Sequence, residues 1–182
     1  MISVVMPTYL GAYPRSGRNR EGKLPRAIQI VLDMQGYFAG KRVRMVYIDK
    51  QAMFSGIPRN VGIDNATGEW ICYLDNDDVL GPNHLEQISQ GMIPEVDWLF
   101  FDDWVLKEGG FRERHCEIKA YQCGTSNIAH RRSMRSRWEI SNKYGSDDLT
   151  FIRKLKNEST RWKRVQGEYL VCHIPLGNKY DI

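Results

Sequence analysis

Short apolar runs alternate with helical patterns along the first half of the chain. Residues 2–6 are mostly β-branched and apolar and are ended by Pro7, which reads as a buried strand. Pro25 suits a first helical position, and Ala27, Ile28, Ile30, Val31, Leu32 and Met34 follow it with helical spacing. Residues 43–48 predict a second strand ending at Asp49, 57–66 a short helix closed by Gly68, and 70–74 a third strand running into Asp75-Asn76-Asp77-Asp78. Pro82 opens a third helix reaching about residue 90. Strand–helix repeated three times predicts an α/β fold with an open, mostly parallel sheet and helices on its faces.

The second half is less regular. Residues 98–106 and 111–118 flank Lys107-Glu108-Gly109-Gly110, a hairpin signal. Residues 148–156 predict a helix with Ser146 available as N-cap, and 161–174 a final pair of strands or an extended edge. No internal repeat or linker separates a second folding unit, so one domain over 1–182 is expected.

In open α/β sheets ligands bind beyond the carboxyl ends of the strands. Thr8, Asp49 and the Asp75 cluster each follow such an end and converge on one crevice. Three packed carboxylates repel one another unless a cation joins them, and a period of two lets Asp75 and Asp77 face the same side. Hard divalent cations, Mn²⁺ or Mg²⁺, suit such a set with ligand phosphates completing the shell. An acidic turn capping the next helix is the plainer reading. Arg59, at the start of a helix just upstream, adds a planar fork suited to a diphosphate, with a surface ion pair as its plainer reading. Asp147 and Asp148 open the later helix, either as electrostatic caps or as the source of a general base.

Composition narrows the class further. With 42% hydrophobic residues among 182, the chain can bury a core, and no apolar run approaches the roughly 20 residues of a membrane span. The start lacks the basic and apolar regions of a secretory signal, so a cytoplasmic location, free or peripheral to a membrane, is expected, and the N-x-S/T triplets at Asn65 and Asn157 carry little meaning. Cys72, Cys116, Cys123 and Cys172 form no CxxC pair and are expected as reduced thiols; His115, Cys116, Cys123 and His130 match no zinc spacing. The net charge of +4 is concentrated in Arg15, Arg18, Arg20, Lys23 and Arg26, a solvated loop, a clamp on a phosphorylated ligand, or a contact with an acidic surface.

These motifs resemble glycosyltransferase family 2, inverting enzymes with the GT-A fold. The likeness runs from Ile2-Ser3-Val4-Val5-Met6-Pro7-Thr8-Tyr9 through Gly56-Ile57-Pro58-Arg59-Asn60-Val61-Gly62-Ile63 and Ala66-Thr67-Gly68-Glu69 to Tyr73-Leu74-Asp75-Asn76-Asp77-Asp78 and Pro82-Asn83-His84-Leu85-Glu86. It continues more loosely through Gly145-Ser146-Asp147-Asp148 and 169–175. The resemblance implies a nucleotide-sugar donor, UDP- or GDP-linked, bound by residues 1–95, and a saccharide, lipid-linked or protein hydroxyl acceptor bound by 96–182. It implies donor contacts from Pro7, Thr8, Tyr9, Asp49, Arg59, Asp75 and Asn76. The metal ligands would be Asp77, Asp75 and His173, and the base Asp148, or Asp147, which stands where the family has Glu. Acceptor contacts would come from Trp98, Gly124, Thr125 and Ser126. A nucleotidyltransferase of related fold would begin with a Gly-rich phosphate loop, which Pro7-Thr8-Tyr9-Leu10-Gly11 is not. A non-catalytic module holding an anionic polymer or polysaccharide is the other alternative; no nucleic-acid motif is present.

Overall fold

The computed structural model describes residues 1–8, 43–49, 56–75, 78–139 and 147–172, with only the backbone for Thr8, 43–49 and Asp147. Its strands are β1 (Ile2–Thr8), β2 (Val43–Asp49), β3 (Trp70–Tyr73), β4 (Val79–Leu80), β5 (Trp98–Lys107), β6 (Gly110–Arg114), β7 (Ile128–Arg131) and β8 (Trp162–Val171). They form one sheet in the order β2-β1-β3-β7-β5-β8-β4, with β6 paired to β5. The described helices are α1 (Gly56–Asn65), α2 (His84–Ser89) and α3 (Asp147–Glu158), with a 3₁₀ turn at Thr125–Asn127.

Strand side chains alternate between faces, and this sheet buries both. Val4, Met6, Cys72, Leu99 and Phe101 share one core with Leu85 and Ile88 of α2. Val5, Ile71, Tyr73, Trp98 and Phe100 share the other with Ile63 of α1 and Phe151, Ile152 and Leu155 of α3. Helices therefore cover both faces, as the near-continuous apolar runs of β1 and β3 require. Helix α1 packs close to β1 because Gly62 has no side chain: a Cβ there would lie 2.3 Å from Val5 Cγ1.

The parallel trio β2-β1-β3 continues antiparallel through β7 into β5, and β8 then runs parallel to β5. The hairpin falls where expected, pairing Lys107 with Gly110 and with Gly109 at φ +85° in the turn. Residues 161–174 were expected as a strand pair or an edge. The correction is that Trp162–Val171 is one strand and not a pair; it pairs with β5 along its length and with β4 only at Tyr169 and Leu170, so among the described residues its first half is the expected edge. That first half is polar and exposed at Trp162, Lys163 and Arg164, as suits an edge. The helix expected from residue 25 lies outside the described residues.

A bulge in β8 shapes the site. Phe101 pairs with Val165, yet Asp103 pairs with Tyr169, so two extra residues are accommodated on β8. Gly167 permits this, since a Cβ there would meet Phe101 and His84 at 3.1 and 3.2 Å. Glu168 then accepts hydrogen bonds from the Asn83 backbone and side chain and from Gln87, tying the start of α2 to the strand. The bulge leaves Tyr169, fully buried, facing the end of β3.

Candidate active site

The crevice is built on the carboxyl ends of β1, β2 and β3. Thr8 and Asp49 pair in register at the ends of β1 and β2, with half-buried Pro7 one step below. Past β3, the Leu74 amide donates to Val5 O at 3.0 Å and the Asp75 amide to Tyr169 Oη at 2.9 Å. These bonds hold the chain as it leaves the sheet and set the direction of Asp75.

The acidic cluster divides its labour. Asp78 is buried and accepts the Cys172 amide at 2.8 Å, so one of the three carboxylates ties the end of β8 to the acidic turn. Asp75 stays about one-third exposed and accepts from Arg59 Nη2 at 2.7 Å. Asn76, Asp77, Tyr9 and His173 lie outside the described residues, as does the Asp147 side chain. The tie nonetheless joins Asp78, the neighbour of Asp77, to Cys172, the neighbour of His173.

Arg59 is the electrostatic centre. It stands in the first turn of α1, 5% exposed, with its guanidinium 4.5 Å above the Trp138 ring. Nη1 lies 3.7 Å from Asp148 Oδ1 while Nη2 binds Asp75, so one cation bridges two carboxylates far apart in sequence. Burial works against the cation, but Asp75 and Asp148 outweigh it and raise its proton affinity above the ordinary range. A guanidinium this buried acts first on the two aspartates.

Asp148 is the second residue of α3, with its side chain 34% exposed, and Thr125 Oγ1 donates to its Oδ1 at 3.0 Å. Beneath it, Phe151 stacks on Trp138 with ring centroids 4.0 Å apart and meets Tyr73 edge-on. Tyr73 Oη donates to His130 Nε2, because His130 Nδ1–H is directed to Arg131 O.

The acceptor residues are repositioned by these contacts. Trp98 is corrected: it is fully buried at the amino end of β5, donates its indole N–H to Ser159 O and stacks on Trp162. Thr125 and Ser126 are also buried, with their hydroxyls directed to Asp148 and Asp103, so they support a carboxylate instead of offering an open surface. Gly124 remains beside Asp148, where a Cβ would lie 3.7 Å from Oδ2. Sequence reasoning missed Tyr169, Trp138 and Asp103. Of these only Asp103 left a signal, as an acid within the apolar run of β5.

Among the described residues no group of three or more His, Cys, Asp or Glu side chains is placed to hold a metal ion. The four cysteines are free thiols. Among the described residues no helix is long and apolar enough to cross a membrane.

This sheet order, with helices on both faces and acids at the ends of its parallel strands, is the α/β architecture called GT-A. Staphylococcus aureus TarS superposes with a TM-score of 0.62 at 15% identity, over 93% of this chain and 36% of TarS. TarS 1–349 in complex with UDP-GlcNAc gives 0.61 at 14% identity, over 93% and 58%. CMP:2-keto-3-deoxy-manno-octonic acid synthetase complexed with CTP gives 0.54 at 11%, over 92% and 90%. The chain thus spans about a third of TarS and under two-thirds of its 1–349 fragment. No curated protein sequence matches it. The family model for glycosyl transferase family 2 matches residues 26–154, and the chain belongs to that family.

Proposed function

We propose that this chain is a metal-dependent inverting glycosyltransferase, moving a sugar from a UDP- or GDP-linked donor to a hydroxyl of a saccharide, lipid-linked or protein acceptor. The observation that carries this reading is the Arg59 bridge, which brings a carboxylate from the end of β3 and one from the start of α3 to a single guanidinium. Both carboxylates keep about a third of their surface exposed, so each can still meet a ligand. Family membership and the structure of TarS with UDP-GlcNAc support the same reading. Residues 1–95 would carry the donor side and 96–182 the acceptor side of one domain, in the cytoplasm or at its membrane surface.

In this mechanism Thr8, Asp49 and their neighbours Pro7 and Tyr9 border the nucleotide base, and Asp75 with Asn76 meets the ribose. Asp148 takes the proton of the acceptor hydroxyl, with Asp147 as the alternative. The acceptor oxygen bonds to the anomeric carbon from the face opposite the departing nucleoside diphosphate. The old carbon–oxygen bond breaks, and its electron pair leaves with the diphosphate. Asp77, Asp75 and His173 would hold Mn²⁺ or Mg²⁺. Carboxylate oxygens suit a hard cation, and the Asp78–Cys172 hydrogen bond joins the two segments that carry the set. When bound, the cation neutralises charge developing on the diphosphate.

A hydrolysis screen across UDP- and GDP-sugars with Mn²⁺ tests the reading without knowledge of the acceptor. Nucleotide and metal together should raise the melting temperature, and Asp77→Ala should abolish that gain. Asp148→Asn should leave donor binding intact and lower turnover by roughly 10²–10⁴-fold. Full turnover in Asp148→Asn with loss in Asp147→Asn moves the base to Asp147. Pyrophosphate release from CTP, with no sugar released from any donor, replaces the reading with the nucleotidyltransferase alternative. Binding of an anionic polymer alone, with no nucleotide effect, leaves the non-catalytic module.

A further inference from the structure

Asp103 is a fully buried carboxylate in β5, remote from the acidic motif and unused by the reaction proposed above. Arg114 of β6 grips it with both edges of the fork, Nε to Oδ1 at 2.8 Å and Nη2 to Oδ2 at 2.6 Å. Ser126 Oγ and Asn127 Nδ2 also donate to Oδ2, at 2.9 and 3.0 Å. Asn127 reaches Phe101 O with the same amide nitrogen and closes the turn by accepting the Gly124 amide at 2.7 Å. Burying a carboxylate costs several kcal/mol unless partners replace its water, and here Arg114, Ser126 and Asn127 do so with four donated hydrogen bonds.

One hydroxyl of that turn points away from Asp103. Thr125 Oγ1 donates to Asp148 Oδ1, the same oxygen that faces Arg59. The two contacts restrain the carboxylate through Oδ1, leaving Oδ2 on the side of Gly124. A Cβ on Gly124 would sit 3.7 Å from Oδ2 and 3.6 Å from Ser126 Oγ, so the bare glycine keeps space open beside that oxygen.

We infer that Thr125, locked by the Asp103-centred turn, is the positioning residue for Asp148, orienting the carboxylate so that Oδ2, over Gly124, receives the acceptor proton. This rests on the reading of Asp148 as the base. Thr125 touches neither substrate; it acts through the aspartate. Gly124 lies beside Oδ2, and a side chain there would take up space next to that oxygen.

Two readouts test the assignment. In crystals of Thr125→Val, which conserves volume, the Asp148 side chain should leave its present conformation or spread over two, and Thr125→Ser should restore it. With UDP-GlcNAc and Mn²⁺, water serving as acceptor, Thr125→Val should lower kcat about 10- to 100-fold with the donor KM within about twofold, and Thr125→Ser should recover most of the loss. Gly124→Ala should keep the Thr125–Asp148 contact and still lower kcat. An unmoved Asp148 in the Thr125→Val crystal overturns the proposal whatever the donor proves to be, as does an unchanged kcat. Full activity in Asp148→Asn sinks the base reading instead, so the two failures are told apart.

Discussion

The two sides of the crevice hold their carboxylates by different means. On the β2-β1-β3 side, parallel strands, of which β1 and β3 are buried on both faces, carry the chain to Asp75, and backbone amides of Leu74 and Asp75 fix its exit. On the β7-β5-β8 side, Asp148 stands at a helix start and is held by side chains: Thr125 directly, and Asp103 with Arg114, Ser126 and Asn127 behind it. Apolar burial is non-directional and tolerates modest change, whereas a charged hydrogen-bond network is directional and fails when one member is lost. Damage to the first side should therefore read out mainly as stability, and damage to the network as turnover.

The largest test of that contrast is Phe151→Ala. This ring is fully buried on the inner face of α3, against Trp138 and Tyr73, and its removal should cost about 3–5 kcal/mol in urea unfolding. Because Asp148 lies one turn away on the same helix, turnover should fall with stability. Unchanged turnover in the folded variant would show that the Asp103 network alone suffices to hold the base. Next is Gly62→Ala, whose Cβ would overlap Val5 in the well-packed first side. An overpacking cost of about 1–3 kcal/mol is expected, measured as a lower urea midpoint. A neutral result would mean that α1 slides on β1 more freely than the parallel side's packing implies.

The smallest effect per step is an acid one. Burial pushes His84 down to about 3 and His130 down to about 4, from an ordinary 6.5. The unfolded chain then binds protons that the native protein refuses, so stability is full above pH 6.5 and is lost as pH falls below it. The slope should be about 1.4 kcal/mol per pH unit for each histidine. His84 has neither ring nitrogen hydrogen-bonded among the described residues and packs edge-on against Phe101 and Tyr169. His84→Leu should roughly halve the slope between pH 6.5 and 5 in urea titrations, and an unchanged slope would place the acid sensitivity elsewhere.

Among the described residues of the first half, β1, β2, β3, α1 and α2 were legible, because buried parallel strands demand unbroken apolar runs and proline and glycine punctuate the helices; the two-residue β4 was not. Strand β7 was not, for its four residues Ile128–Arg131 include His130 and Arg131, whose hydrogen bonds form only once β3 and β5 flank it. Trp98 misled for the converse reason, since nothing local says that an indole will be covered by Trp162 from a strand far along the chain. Arg59 was legible as a cation at a helix start, but its contacts with Trp138 and Asp148 were not, since both reach it from later segments.

The amino-acid order by itself determined the family, the α/β class and which acids end the strands, because periodicity and local motif chemistry are properties of neighbours along the chain. Only the tertiary structure decided that Asp78 ties β8, that Arg59 joins Asp75 to Asp148 and that a buried aspartate steadies Thr125. Each of those depends on hydrogen bonds or an ion pair between residues distant in sequence, and such contacts are defined by three-dimensional direction and distance.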